Sequence, residues 1–319
     1  MSANIILFSN SYLAIPTLLE LIAQQRLKGI VLPDRLHQES REIMQVAAAH
    51  QVPVKLTSRQ GLREELPAWL SGQGCEVILT ITFPWRLPEE VTGLPAKGAW
   101  NVHFGALPAS RGADPVFMTI KNQEREATIS IHEMAGKVDA GAVALSQGIA
   151  HLPGETWGIL AGKLSMATPP LVSHLLQGIE AGTLQPVPQP EGDSTWHARP
   201  DAAALSISWE HMNADAVETL VNACNPGYGG AMTFLKGAPV QILEVTPADI
   251  NDAPIARPGT IVYADQQYGI FVLCKDYKFL RITTISTRQG ILSGHKMAAM
   301  GIKVGDQFSD QPLGAGIPL

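Results

Sequence analysis

Asn4-Ile5-Ile6-Leu7-Phe8-Ser9-Asn10-Ser11-Tyr12 carries an unbroken apolar run into a polar turn near the start of the chain. Residues 5–8 show no polar alternation, which is the pattern of a strand covered on both faces, as in a parallel sheet. Residues 16–22 follow with Leu18, Leu19 and Ile22 at helical spacing. The alternation then continues. Residues 28–32 read as a strand, and 39–50 as a helix with Ile43, Val46 and Ala47 on one face. Residues 52–55 read as a strand, 58–70 as a polar helical stretch, and 76–82 and 98–103 as two more strands. This order predicts an α/β fold with a Rossmann-like, doubly wound parallel sheet. The turn Ser9-Asn10-Ser11-Tyr12 has no glycine fingerprint, so a dinucleotide site is not expected on this sheet.

The chain has 319 residues, 45% apolar and 16% charged, enough for a packed core in one large or two ordinary domains. A formal charge of −6 gives no overall attraction to nucleic acid or to an anionic membrane. Cys75, Cys224 and Cys274 lie far apart and in odd number, so the expectation is inert thiols in a reducing compartment, without disulfides or a metal site. The first residues lack a basic start and a long apolar run, and no segment is long and apolar enough to span a bilayer. A cytoplasmic protein is expected.

Residues 128–134 and 142–149 read as two strands around a turn holding Asp139, and 156–179 as a long helix. Five prolines and glycines (Pro186, Pro188, Pro190, Gly192, Pro200) mark 185–200 as a linker rather than a packed element. Beyond it come a helix at 215–224 and short strands at 231–235, 240–245, 259–263, 269–274 and 279–285. These suggest a small OB-like β-barrel. The expected division is therefore a catalytic domain at 1–184, a linker at 185–200 and a barrel at 201–319.

Asn101 and His103 stand two apart at the end of the strand 98–103 and so share a face. Asn101 offers a neutral N–H and His103 an N–H that can be charged, as an acyl oxygen gaining negative charge requires. Asp139 can orient His103, raise its pKa and help to move a proton. No serine or cysteine elbow is evident, which favours direct acyl transfer over a covalent intermediate. On spacing alone, a satisfied structural pair is the better explanation of Asn101 and His103, and turn chemistry that of Asp139. His132 alternates with apolar residues and reads as structural. Asn225-Pro226-Gly227-Tyr228-Gly229-Gly230 reads as a turn, with a phosphate cradle as the alternative.

The run Asn101-x-His103-x₃-Leu107-Pro108-x₂-Arg111-Gly112-x₂-Pro115, followed by Val138-Asp139-Ala140-Gly141, resembles the folate-dependent formyltransferase family. That family includes methionyl-tRNA, glycinamide ribonucleotide and sugar-nucleotide formyltransferases. Ser208-Trp209, Asn225-Pro226-Gly227, Pro258-Gly259-Thr260-Ile261 and the stretch 292–308 resemble the C-terminal barrel of the tRNA and sugar enzymes. The resemblance implies transfer of a formyl group from 10-formyltetrahydrofolate to a primary amine, without a metal. It implies that His103 is the general acid or oxyanion partner, that Asn101 stabilises the tetrahedral intermediate and that Asp139 tunes His103. It also implies that the pterin lies against Trp85, Arg86 and Leu87 and the loop Ala135, Gly136, Lys137, Val138. Gly105, Ala106, Leu107 and Pro108 would border the folate. Where the family usually has Ser-Leu-Leu-Pro, this chain has Gly105-Ala106-Leu107-Pro108. Ser110 replaces the usual aromatic before Arg-Gly.

Two features bear on the acceptor. The tRNA enzymes are expected to carry a long basic loop after the second strand, whereas Pro33-Asp34-Arg35 runs almost directly into a helix. Residues 201–319 hold eight Lys and Arg against eleven Asp and Glu, the wrong sign for gripping phosphates. Lys275, Lys278, Arg281 and Arg288 are the candidates for a local basic stripe. The expected acceptor is therefore a small-molecule amine, aminosugar-nucleotide-like, with initiator methionyl-tRNA as the alternative. A 10-formyltetrahydrofolate hydrolase and a silent folate-binding relative are further readings.

Overall fold

A computed structural model describes residues 2–251 and 254–311. In chain order the elements are β1 (Ile5–Ser9), α1 (Ile15–Ala23), β2 (Leu27–Pro33), α2 (Gln38–Ala49), β3 (Val54–Thr57), α3 (Gly61–Glu64), α4 (Leu66–Gly72), β4 (Val77–Ile81) and α5 (Glu89–Thr92). They continue as β5 (Ala99–His103), β6 (Arg111–Gly112), α6 (Pro115–Lys121), β7 (Glu126–Glu133), β8 (Val143–Ala150), α7 (Trp157–Ala181) and β9 (Trp196–His197). The last group is α8 (Ala214–Cys224), β10 (Ala231–Leu235), β11 (Ala238–Ala248), β12 (Ile261–Asp265), β13 (Gly269–Leu273), β14 (Phe279–Thr287), β15 (Gly290–Ser293), α9 (Gly294–Ala299) and β16 (Phe308–Ser309).

Two compact units result. The chain up to Pro115 joins Glu126–Ala150 and Ala161–Ala198 in the first; Val116–Arg125, His151–Leu160 and the chain from Arg199 onward form the second. The first holds a sheet ordered β3-β2-β1-β4-β5-β7-β8. Ile5, Ile6, Leu7 and Phe8 are all fully buried, so both faces of β1 are covered, as its continuous apolar run requires. On one face Ile6, Phe8, Val31 and Ile78 pack with Leu62, Leu66, Leu70 and Val91 from α3, α4 and α5.

The sheet departs from the expected all-parallel form. The strands from β3 to β5 pair in parallel, but β7 runs antiparallel to β5 and β8 antiparallel to β7. For β7 and β8 the cause is local: their connection, which carries Asp139, is too short for the crossover that a parallel pair needs.

The proline-rich stretch, though mostly exposed, is hydrogen-bonded to the first unit where a free linker was expected. Arg111 N–H donates to Thr195 O at 3.0 Å, Ala113 N–H to His197 O at 2.9 Å, and Val143 and Val187 exchange two hydrogen bonds. Proline removes a donor from only some positions; the residues between the prolines keep theirs and use them. These contacts fasten residues up to Ala198 to the first unit, past the expected boundary at 184.

The second unit is a curled antiparallel sheet ordered β12-β13-β14-β11-β10-β16, with β15 on β14. Its edges approach one another where Phe308 N–H donates to Gly259 O and Ile261 N–H to Asp306 O, both at 2.8 Å. Trp209, 1% exposed, stacks on Phe308 at 5.4 Å between ring centroids and donates its indole N–H to Thr233 Oγ1 at 2.9 Å. Asn225 Nδ2 donates to Leu243 O, so this residue of the Asn-Pro-Gly turn serves to anchor it. Residues 312–319 of the expected barrel lie outside the described residues. Among the described residues no helix is long and apolar enough to cross a membrane.

Trp209→Ala should lower the unfolding free energy by about 3–5 kcal/mol, and Trp209→Phe by about 1 kcal/mol through loss of the hydrogen bond to Thr233, whose hydroxyl keeps its own bond to Ser309 O. Urea unfolding followed by circular dichroism measures both.

Candidate active site

The site grows from the pairing of three strands. Thr80 on β4 lies opposite Asn101 on β5, and His132 on β7 lies opposite Asn101 from the other side. Thr80 Oγ1 donates to Asn101 Oδ1 at 2.5 Å. That bond fixes the amide with Nδ2 facing His132 Nε2 at 3.1 Å. His132 Nδ1 lies 2.7 Å from Glu133 O, to which it donates. The ring is thereby assigned the tautomer whose Nε2 accepts from Asn101. One amide hydrogen of Asn101 remains to donate elsewhere.

His103, the last residue of β5, is 7% exposed. Its Nε2 donates to Ser110 O at 2.7 Å, and its Nδ1 stands 3.7 Å from Asp139 Oδ2. Asp139 is 8% exposed, with a left-handed φ of +52°. Its Oδ2 accepts the Gly112 N–H at 3.0 Å, and its Oδ1 lies 3.4 Å from His132 Nε2. His132 Nε2 thus faces an amide hydrogen and a carboxylate at once, so a proton there would bridge to Asp139.

Burial pushes the His103 imidazole below its ordinary range, against the upward pull of Asp139 and the Ser110 carbonyl, and His132 adds to the lowering. This reverses the expectation that Asp139 would leave it raised: desolvation outweighs the carboxylate. For Asp139 burial acts the other way and would raise the carboxyl. The His132 contact, the nearby His103 and the Gly112 N–H together outweigh it and hold the carboxyl low. At neutral pH the pair is a carboxylate beside a neutral imidazole.

Two glycines are fixed by space. A Cβ on Gly105 would lie 2.7 Å from His103 Nε2 and 2.8 Å from Pro115 Cβ. Gly112, at φ +102°, would place a Cβ 2.2 Å from His197 O. Gly105 O also accepts from Ser130 Oγ at 2.7 Å, which ties the chain after β5 to β7.

The sequence reading found Asn101, His103 and Asp139, and the structure brings them together. It missed Thr80, Ser130 and His132. Of these, His132 alone had a signal: a polar side chain amid an apolar strand. The residues expected against the folate fall into three groups. Trp85, Arg86 and Leu87 line a cavity of about 800 Å³ together with Arg59, Arg63 and Glu89. The Arg59 guanidinium lies over the Trp85 ring at 5.9 Å. Ala135, Gly136, Lys137 and Val138 are exposed, and a Cβ on Gly136 would stand 3.5 Å from Glu89 and 3.8 Å from Arg86. That loop therefore adjoins the cavity wall. Gly105 is buried, Leu107 and Pro108 are half-buried and Ala106 is exposed; none of the four lines the cavity. Among the described residues no group of three or more His, Cys, Asp or Glu is placed to hold a metal ion. Burial pushes the Cys75 and Cys274 thiols up to about 12, so neither is a nucleophile near neutral pH.

Two family models match the chain. One described as formyl transferase covers residues 28–174, and one described as formyl transferase, C-terminal domain, covers 201–299. A methionyl-tRNA formyltransferase of Thiobacillus denitrificans is 32% identical over 234 residues, 73% of each chain. Among solved structures, HypX from Aquifex aeolicus in complex with tetrahydrofolic acid matches with a TM-score of 0.69 at 16% identity, over 100% of this chain and 50% of that one. An N-formyltransferase from Helicobacter canadensis, solved with folinic acid and dTDP-3-aminofucose, matches with a TM-score of 0.62 at 12% identity, over 87% of this chain and 98% of that one. At such identities these two structures share the fold.

The neutral His103 gives stability a definite pH dependence. Below the ordinary imidazole pKa of 6.5 the unfolded chain binds a proton that the folded ring resists, so this residue makes stability fall as pH drops through that range. His103→Gln should lose less stability than the parent between pH 7 and 5 in urea titrations. Gly105→Ser should displace the His103 ring and lower turnover about tenfold or more while the fold survives, as steady-state assays and circular dichroism would show.

Proposed function

The chain belongs to the formyltransferase family, and on that footing we propose that it moves a formyl group from 10-formyltetrahydrofolate to the primary amine of a small molecule, first among them an aminosugar nucleotide. The observation that carries the chemistry is one buried cluster: an oriented Asn101 amide, a neutral His103 and an ionised Asp139.

Each group has a task in that reaction. The spare Asn101 hydrogen donates to the formyl oxygen as it becomes an anion. The neutral His103 takes up the proton that the attacking amine loses, and Asp139, 3.7 Å away, steadies the charge so formed. The same proton returns to the donor nitrogen as its bond to the formyl carbon breaks. One C–N bond forms, one breaks, and no proton is gained or lost. The cavity bordered by Trp85, Arg86 and Leu87 holds the donor in this reading, and the curled sheet of the second unit is an OB-like barrel.

The acceptor is argued from charge and space. Between β2 and α2 only four residues, 34–37, intervene, with Arg35 their single Arg or Lys. In the second unit Lys278 faces Asp276 at 3.7 Å and Asp215 at 3.9 Å, while Arg281 contacts His295 and lies over Phe271. Two of the four cations of the candidate stripe are thus engaged. A tRNA would need several free ones, because phosphate contacts dominate its affinity. The tRNA reading keeps the support of relatives in sequence, methionyl-tRNA formyltransferases at 26–32% identity.

His103→Ala and Asp139→Asn should each lower formyl transfer by about 10²–10⁴ with the circular dichroism spectrum retained; full activity in either would refute the mechanism. Tetrahydrofolate release measured with a panel of amines should respond to aminosugar nucleotides. Efficient formylation of charged initiator tRNA without any response to them would reverse the choice of acceptor. Rapid formate release with no amine present would mark a hydrolase.

A further inference from the structure

The stretch 185–198 reaches the site through one side chain. Gln189 Nε2 donates to Asp139 O at 2.8 Å and to Gly141 O at 2.6 Å. Its Oε1 accepts from Arg111 Nε at 3.0 Å. We propose that Gln189 is a positioning residue for formyl transfer: its carboxamide ties the Asp139 turn to Arg111 and thereby sets the Asp139 carboxylate against His103.

The contacts form a closed ring. Arg111 is followed by Gly112, whose N–H binds the Asp139 carboxylate. The Asp139 carbonyl binds Gln189, and Gln189 binds back to the Arg111 side chain. Each hydrogen of the carboxamide and its oxygen has a partner, so the group can sit in one orientation only. The turn it holds needs holding. Asp139 is a non-glycine residue in the left-handed region, and Gly141 presses its backbone so close to the Glu133 carbonyl that a Cβ would overlap it. Water at the two carbonyls would satisfy their hydrogen bonds but would not fix the turn relative to Arg111.

Arg111 is built for this task rather than for solubility. It is 5% exposed, and its Nη2 is buried with no hydrogen-bond partner. Its ion pair to Glu191 spans 3.3 Å with the glutamate largely in water, so that contact holds it only weakly. The strong contact is the one to Gln189, which is directed at the Asp139 turn. The charged or titratable groups facing Asp139 are then His103 from β5, His132 from β7 and, through Gln189, Arg111 from β6. Lys137 is on its own turn.

The proposal rests on the reading of Asp139 as part of the transfer site, and the test separates the two. The probes are the Asp139 carboxyl carbon, followed by NMR in aspartate-labelled protein, and turnover of 10-formyltetrahydrofolate with hydroxylamine as the amine. Asp139→Asn identifies the resonance and should abolish most turnover; if it is fully active, the reading of the site falls. Gln189→Met keeps the length and removes every hydrogen bond. Its Asp139 carboxyl should titrate higher than in the parent, with turnover down by about tenfold to a hundredfold and the donor KM little changed. A folded Gln189→Met with the parent's titration and turnover overturns the proposal while leaving the site intact. Gln189→Glu is the second variant. It keeps an acceptor for Arg111 but sets a carboxylate oxygen against two carbonyls, so the same upward titration and loss are expected. Parent-like behaviour there, or unfolding of both variants, equally overturns the proposal, because a positioning residue leaves the fold standing.

Discussion

The Asp139 carboxylate is buried, and much of the first unit's detail follows from keeping it charged. Removing a carboxylate from water costs several kcal/mol unless partners replace the solvent. Here those partners come from three separate strands: His103 on β5, the Gly112 N–H on β6 and His132 on β7. None is a neighbour of Asp139 in sequence. The change from parallel to antiparallel pairing at β7 is what sets His132 opposite Asn101, and the loop after β7 then folds Asp139 back over it. A further parallel strand would have required a crossover helix in place of that loop.

Burial also decides which member of the pair is charged. His103 and Asp139 are exposed to nearly the same small extent, yet burial and partners act on them in opposite balance. Asp139 collects a backbone N–H and two imidazoles, enough to overcome desolvation. His103 has one carbonyl and a carboxylate 3.7 Å away, and desolvation prevails. In the resting pair of His103 and Asp139 only the carboxylate is charged, and the Gly112 N–H already donates to it. A proton arriving on His103 creates the second charge beside an existing counter-charge, with little reorganisation needed.

The parts of this arrangement legible in the sequence are those with local causes. The apolar run at β1, the helical spacing of α1 and α2 and the strand-end placement of Asn101 and His103 are set by residues a few positions apart. The resemblance to a formyltransferase motif linked Asp139 to them. His132 reads as structural from its alternation, and the register that sets it against Asn101 is one no periodicity within β7 reports. The stretch 185–198 was misread because its prolines signal what they lack, while the hydrogen bonds that fasten it come from Thr195, His197 and Gln189 to partners some fifty to eighty-five residues earlier. The antiparallel pairing of β7 with β8 was implicit in the short span between them, whereas the change of direction between β5 and β7 lies across a long span with a helix, which strand and helix alternation does not distinguish from a crossover.

The departures from the family motif are not equivalent once packing is considered. Gly105 stands where the family usually has serine, but here the His103 ring and Pro115 leave no room for a Cβ. Its small size is set by the His103 ring and Pro115, so it says nothing of the acceptor. Ala106 is exposed and Ser110 half-buried, and each already carries a Cβ. Ser110 serves His103 through its backbone carbonyl, which any side chain would supply. On the proposed reading, then, Ala106 and Ser110 are the positions free to fit the amine. Two small side chains there add no charge. That suits an acceptor recognised by its shape near the reacting nitrogen better than one gripped through many phosphates by a chain of net charge −6.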